Sequence, residues 1–297
     1  MPLAKAIRTA LLADNPISRV LLAGYRATIP ARYYFPKLLQ VPRWLAASRE
    51  TTNLTYDLTE LNLLYLANTI SIVTGTAAAQ IDGFLSEPYN DRDLLAHITS
   101  RTQASGRRTI SDPVARFGRR LGWYAFVRAM KPKLVIETGV DKGLGSVLLC
   151  SALLRNKAEG HEGYYYGTDI NPEAGFLLAG KWAETGKILY GDSIKSLRNI
   201  SQPIDLFIND SDHSADYELA EYRSVEEHLT LNAIVLGDNS HFSKSLYVFA
   251  RESGKEFLFF AEQPLGHWYP GSGIGICFPH KTTLTPVASA LRVQEPS

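Results

Sequence analysis

From residue 133 to residue 279, short runs of β-branched and aromatic residues alternate with stretches of helical periodicity. No other feature limits the possible folds as much. The runs cover residues 134–137, 164–169, 187–190, 204–209, 233–236, 256–261 and 273–278. The first five are separated by stretches long enough for a helix. Parallel strands cannot be joined by a tight hairpin and need a crossover, so this spacing predicts an α/β domain with a parallel sheet and helices on both faces. Only a loop containing Gly and Pro separates the last two runs, which predicts an antiparallel edge pair.

Upstream, residues 57–110 read as helical. Asp57 followed by Glu60 is a capping-box-like start, and Leu58, Leu61, Leu64, Tyr65 and Ile72 recur at near-helical spacing. Asp91 is placed to cap a second helix through Leu94, Leu95 and Ile98, and Gly106-Arg107-Arg108 reads as a linker. Ser111 and Asp112 precede Pro113, which suits a first helical position. Phe117, Leu121, Tyr124, Ala125 and Val127 supply the apolar stripe of that helix, and Pro132 ends it. The expected organisation is a helical extension over residues 1–110 and an α/β domain over residues 111–297.

Charge is nearly balanced, with 31 Lys plus Arg against 30 Asp plus Glu, so there is no reason to expect a nucleic-acid partner. The balance is local, however. Residues 1–50 hold eight basic side chains and only Asp14 and Glu50 as acids, with Tyr25, Tyr33, Tyr34, Phe35 and Trp44 among them. Such a segment suits peripheral contact with an anionic membrane surface, or a packing arm or dimer contact. Pro16, Pro30, Pro36 and Pro42 are expected to prevent one long amphipathic helix there. Residues 61–81 lack charge but contain Asn62, Asn68, Thr69, Ser71, Thr74, Thr76 and Gln80, too polar for a spanning helix. Cys150 and Cys277 make neither a disulfide framework nor a zinc-ligand pattern and read as buried thiols. With no signal-peptide pattern at the start, they point to a reducing, cytoplasmic setting.

Residues 135–146 follow the first strand and open a helix. Glycines there let the backbone approach a ligand, and the helix start presents free N–H groups. The spacing is Gly139-x-x-x-Gly143-x-Gly145, not the Gly-x-Gly-x-x-Gly of dinucleotide sites. Glu137, two residues before the first Gly, disfavours a pyrophosphate and favours a cation. A tight turn without ligand is the bland alternative. Asp169 ends the second strand, where an acid accepts ribose hydroxyls. Asp192, after the third, could accept from an adenine amino group or simply cap the helix after it.

This ordered set resembles the class I S-adenosylmethionine-dependent methyltransferases over about residues 111–279. The resemblance implies a Rossmann-like, seven-stranded, mostly parallel sheet with an antiparallel last strand. It implies S-adenosylmethionine held by Glu137, Thr138, Gly139, Gly143, Ser146, Asp169, Ile170, Asp192, Ser193 and Asp210. One departure is Asp141, where many members carry Gly.

The fourth strand runs into Asn209-Asp210-Ser211-Asp212-His213 and the fifth into Gly237-Asp238-Asn239-Ser240-His241. Asp210, Asp238 and Asn239 offer hard oxygen donors, which favour Mg²⁺ or Mn²⁺ over zinc. Asp210 or Asp212 could instead cap the following helix. The pattern resembles the metal-dependent O-methyltransferases of the catechol and macrocin types, and Asp-Ser-Asp-His also resembles the cephalosporin hydroxylase-like branch. That resemblance implies bound Mg²⁺, His213 as general base and a hydroxyl acceptor on a small molecule or sugar, in a protein that pairs as a homo-oligomer. His213 could also play a hydrogen-bonding role; His241 and Lys244 stand in reserve. The loop carrying Trp268 and Tyr269 could shape the acceptor pocket or pack the hairpin. Three readings stay beside this one: a metal-independent methyltransferase with His213 as base, a nucleotide-binding oxidoreductase, and a non-catalytic binding module.

Overall fold

The computed structural model describes residues 16–51, 53–212, 214–238 and 240–280. His213 and Asn239 lie outside the described residues. The helices before the sheet are α1 (Pro16–Leu38), α2 (Gln40–Ala47), α3 (Glu60–Thr74), α4 (Ala78–Asn90), α5 (Arg92–Ala104) and α6 (Arg120–Met130). Then come β1 (Leu134–Thr138), α7 (Leu144–Ala158), β2 (Tyr164–Asp169), β3 (Gly186–Tyr190), α8 (Ser193–Arg198), β4 (Ile204–Asn209) and α9 (Ala215–Val225). The chain continues through β5 (Leu229–Gly237), α10 (Ser245–Glu252), β6 (Glu256–Ala261) and β7 (Gly273–Phe278).

The seven strands make one sheet in the order β3-β2-β1-β4-β5-β7-β6. β1 to β5 pair in parallel, whereas β7 slots between β5 and β6 and runs antiparallel to both. This is the expected Rossmann-like sheet with its reversed last strand. Between β2 and β3 the crossover is a short 3₁₀ turn (Gly180–Thr185) rather than the expected helix.

Alternation along the strands builds a core on each face. Leu206 and Ile208 of β4 point to one side with Val135, Leu236 and Ile276; Phe207 points to the other with Ile136, Val235 and Cys277. The first side is covered by α3 to α7 through Leu66, Ile70, Ile81, Leu94, Trp123 and Val147. The second is covered by α8, α9 and α10 through Leu197, Tyr222, Val225 and Phe249. Helices α3 to α5 therefore share the sheet's own core rather than standing apart from it.

Four local expectations change. Residues 57–104 form three helices rather than two, because Gly75 at φ +80° ends α3 and the chain starts a new helix at Ala78. The cap of α3 is Thr59, whose side chain accepts from Asn62 N at 3.3 Å. Asp57 is instead engaged by the Tyr89 hydroxyl at 2.5 Å. Asp91 does cap α5, accepting from Leu94 N at 3.0 Å. The helix expected from Pro113 begins only at Arg120. Asp112 is held by Arg49 N and Ser48 Oγ, at 2.6 and 2.9 Å, and Gly118 adopts φ +50°, so the chain cannot coil before that point. Finally, α1 runs through Pro30 and Pro36 as one 23-residue helix, contrary to the expected interruption. Each Pro removes an N–H donor, but this helix is exposed at every residue from 19 to 39, so the orphaned carbonyls are hydrated.

Candidate active site

The carboxyl ends of β1, β2, β4 and β5 meet at one edge of the sheet, where open α/β folds place their ligands. Gly139 leaves β1 with φ +78°, and a Cβ there would collide with the backbone of Asp210 at the end of β4. Only glycine permits both the turn and the contact. Asp141, the departure from the resembled pattern, has φ +45°, the region glycine prefers. Aspartate is among the few side chains that visit it readily. Its carboxylate is fixed by Arg107 Nη1 at 2.6 Å and Asn53 Nδ2 at 3.0 Å. The guanidinium and amide hold it below the usual carboxylate range despite burial, which alone would raise it.

Asp169 braces the same loop. Its Oδ2 accepts from the amides of Val140 and Asp141, at 3.1 and 3.0 Å, and its Oδ1 accepts from Asn171 N at 2.8 Å. Asp192 caps α8 through Lys195 N at 2.8 Å, so the capping alternative holds, and it faces the cleft as well.

A cleft of about 550 Å³ opens above these strand ends. Gly139, Asp169, Ile170, Asp192, Ser193 and Asp210 of the expected cofactor set line it, together with Asp212 and Tyr217. Glu137, Thr138, Gly143 and Ser146 do not. Glu137 is 1% exposed and lies beneath the glycine loop, where it accepts from the Tyr165 hydroxyl and from Ser146 Oγ. Its expected direct contact with a cationic ligand is therefore corrected to a structural one. Burial pushes its acid up to about 7, against the pull of Tyr165 and Arg120. Thr138 hydrogen-bonds Glu221 instead, at 3.3 Å.

A second cavity of about 360 Å³ shares Asp141 and Asp210 with the cleft. Its other walls include Tyr56, Arg119, Asp238, His241, Tyr269 and Ser272. The aromatic loop therefore contributes to it through Tyr269, while Trp268 stacks on His267 with ring centres 5.6 Å apart. A further cavity, about 1100 Å³, lies at the opposite end of the strands against Leu134, Asp205 and Thr230.

The expected metal ligands are already engaged. Asp238 is bound in fork geometry by Arg119 through Nε and Nη2, the latter at 2.7 Å. Arg120 Nη2 lies 3.6 Å from Asp210. Burial and the neighbouring Asp238 push the Asp210 acid well up, whereas for Asp238 the Arg119 charge outweighs burial and keeps it ionised. Asp210 is thus pushed toward its neutral form, while the charge of Asp238 is answered by arginine. Such a pair does not fit a divalent cation, which wants ionised oxygens and no guanidinium beside them. No cluster of three or more His, Cys, Asp or Glu suited to an ion occurs among the described residues. The expected Mg²⁺ site, one of whose ligands, Asn239, lies outside the described residues, is not shown, and its two described carboxyl groups are answered by Arg119 and Arg120.

His241, only a reserve candidate in the sequence, is the histidine in the second cavity among the described residues. Its Nδ1 lies 3.2 Å from the carbonyl of Asp238, which can only accept, so Nδ1 carries the proton. Nε2 is left as an acceptor without a partner among the described residues. Burial lowers the imidazole's pKa below its ordinary value, more strongly than Asp238 raises it.

Sequence reasoning missed Arg119, Arg120 and Glu221. Glu221, on α9, is fully buried and accepts from Ser193, Asn209 and Ser211, tying the ends of β3 and β4 together. Its acidic neighbours in a polar helix face gave no sign that it points inward. The arginines lie within the helix expected from Pro113, between the apolar positions Phe117 and Leu121.

No curated protein sequence matches the chain. Among solved structures, an S-adenosylhomocysteine-bound methyltransferase of Podospora anserina is 13% identical, with 68% of this chain and 95% of that one covered and a TM-score of 0.46. The O-methyltransferase TomG of Streptomyces achromogenes is 14% identical, covering 62% and 89%, also with a TM-score of 0.46. Residues 136–240, which span the strand ends that form the cleft, match the family described as Methyltransferase domain.

Proposed function

We propose that the chain transfers a methyl group from S-adenosylmethionine to a hydroxyl oxygen of a small molecule or a sugar. One observation carries this reading: two cavities meet at Asp141 and Asp210, one over the glycine loop and one holding His241. The first is lined by several carboxyl groups and by Arg107 as its basic side chain, a wall suited to a cationic ligand with hydroxyls. When bound there, S-adenosylmethionine supplies an electrophilic methyl carbon. In the second cavity His241 Nε2, which is buried in the free protein, would take the acceptor's hydroxyl proton as the oxygen–carbon bond forms and the methyl–sulfur bond breaks to leave S-adenosylhomocysteine, and Nδ1–H stays on the Asp238 carbonyl. His213 remains a second candidate base. Holding the oxygen in line is worth on the order of 7–11 kcal/mol in favourable cases.

The Arg119–Asp238 pairing favours the metal-independent form of this reading; a magnesium-dependent form requires Arg119 to release Asp238. Two free, buried cysteines accord with the reducing, cytoplasmic setting we propose. Calorimetry with S-adenosylhomocysteine tests the core of the reading. Binding to the wild type, weakened about tenfold or more in Asp169→Ala because the loop loses its brace, is the expected result. No binding to the wild type would remove the methyltransferase assignment of the cleft.

A further inference from the structure

Helix α1 has the composition of a buried element and the exposure of a free one. A helix of 23 residues in a globular protein ordinarily hides an apolar stripe against its neighbours. Here Ile17, Val20, Leu21, Tyr25, Phe35 and Leu38 are each more than half exposed. Single exposed apolar side chains are ordinary, but a set along one side of the helix over more than five turns marks an interaction surface.

Charge says what kind. No acidic residue occurs between Asp14 and Glu50, while Arg26, Arg32, Lys37, Arg43 and Arg49 all do. At about 100° per residue, Arg19, Arg26 and Lys37 share one side of the helix, with Ile17, Leu21 and Phe35 opposite and Arg32 at the rim of the apolar side. A second copy seated on the apolar side of α1 about a two-fold axis would leave Arg26 and Lys37 unanswered. An anionic lipid surface would not. Among the described residues no helix is long and apolar enough to cross a membrane, so the fitting arrangement lies along the surface.

The arm is also fastened to the catalytic part. On α2, Trp44 meets Trp268 edge-on with ring centres 5.3 Å apart, and the segment after it bonds to Asp112. We propose that α1 is an interfacial anchor that lies on an anionic bilayer, with its apolar side chains in the headgroup–acyl boundary and its arginines and Lys37 on lipid phosphates. The inference does not depend on methyl transfer.

The test is sedimentation of the full-length protein with sucrose-loaded phosphatidylcholine vesicles, with and without phosphatidylglycerol. The protein should pellet with the anionic vesicles, stay in solution with the neutral ones, and be released by high salt. Arg26→Glu/Arg32→Glu/Lys37→Glu should weaken binding at least tenfold. Leu21→Asp/Phe35→Asp should weaken it too, which charge attraction alone would not produce. Unchanged circular dichroism and S-adenosylhomocysteine affinity in both variants would show an intact fold. No pelleting with anionic vesicles overturns the proposal, as does equal binding to neutral ones or an unaffected charge-reversed variant. A stable dimer that ignores vesicles would also overturn it, by assigning α1 to a second copy.

Discussion

His241 illustrates how one side chain's neighbours decide its chemistry. The Asp238 carbonyl sets its tautomer, and burial keeps it neutral. A base with a lowered pKa is already deprotonated near neutrality, so the acidic limb of the rate profile should fall below the ordinary imidazole range. His241→Gln should reduce methyl transfer to an accepted hydroxyl by about 10²–10⁴-fold while S-adenosylhomocysteine binding is kept. Single-turnover rates on an acceptor panel measure this. An unaffected His241→Gln alongside a dead His213→Gln would move the role to His213. Glu137 gives a stability prediction. Its acid is raised from 4.5 to about 7 in the folded state, so the folded chain holds a proton that the unfolded chain releases sooner. Stability should therefore fall as pH climbs between those two values, by about 3 kcal/mol at most, and level off above. Denaturant melts of Glu137→Gln should lack that slope. The sequence showed that an acid precedes the glycine loop, because motif and spacing are local. It could not show which way the side chain turns, because that depends on Tyr165 from the neighbouring strand.

At the scale of elements, strands were the more legible. Four of the seven expected runs coincide with observed strands end to end, because period-two burial is written into Val, Ile, Phe and Tyr. β5 begins four residues early because Leu229 still pairs with Ile204 of β4 across a register shift. Helix starts were less legible wherever tertiary bonds intervene, as at Asp112. Glu221 is the clearest case of an element hiding its function. It serves α9 as a helical residue and the sheet as a tie across two strand ends. Glu221→Ala would strand the donor of the fully buried Asn209 and free Ser193 and Ser211, which border the cleft. We expect a loss of about 3 kcal/mol or more of stability by chemical denaturation, with Glu221→Gln losing less. If Glu221→Ala melted like the wild type, the tie would be idle.

For the whole molecule, the order β3-β2-β1-β4-β5-β7-β6 gathers into one place acids that are far apart in sequence. That gathering was foreseen for Asp169, Asp192, Asp210 and Asp238. What could not be read was the arrival of Arg119 from the segment before β1, because nothing in its local sequence says which carboxyl it will meet. The consequence is that two of the three residues expected to hold an ion, Asp210 and Asp238, stand beside arginines. Turnover should survive dialysis against excess chelator, measured with the same acceptor used for His241→Gln. Loss on chelation, with recovery on adding Mg²⁺ alone, would mean that Arg119 gives way.

The two cavities share a wall made of Asp141 and Asp210 and little else. Each is open to solvent over part of its lining. A spent donor and a finished product need not queue for one exit, and steady-state kinetics should follow a random rather than a compulsory sequence of arrival and departure.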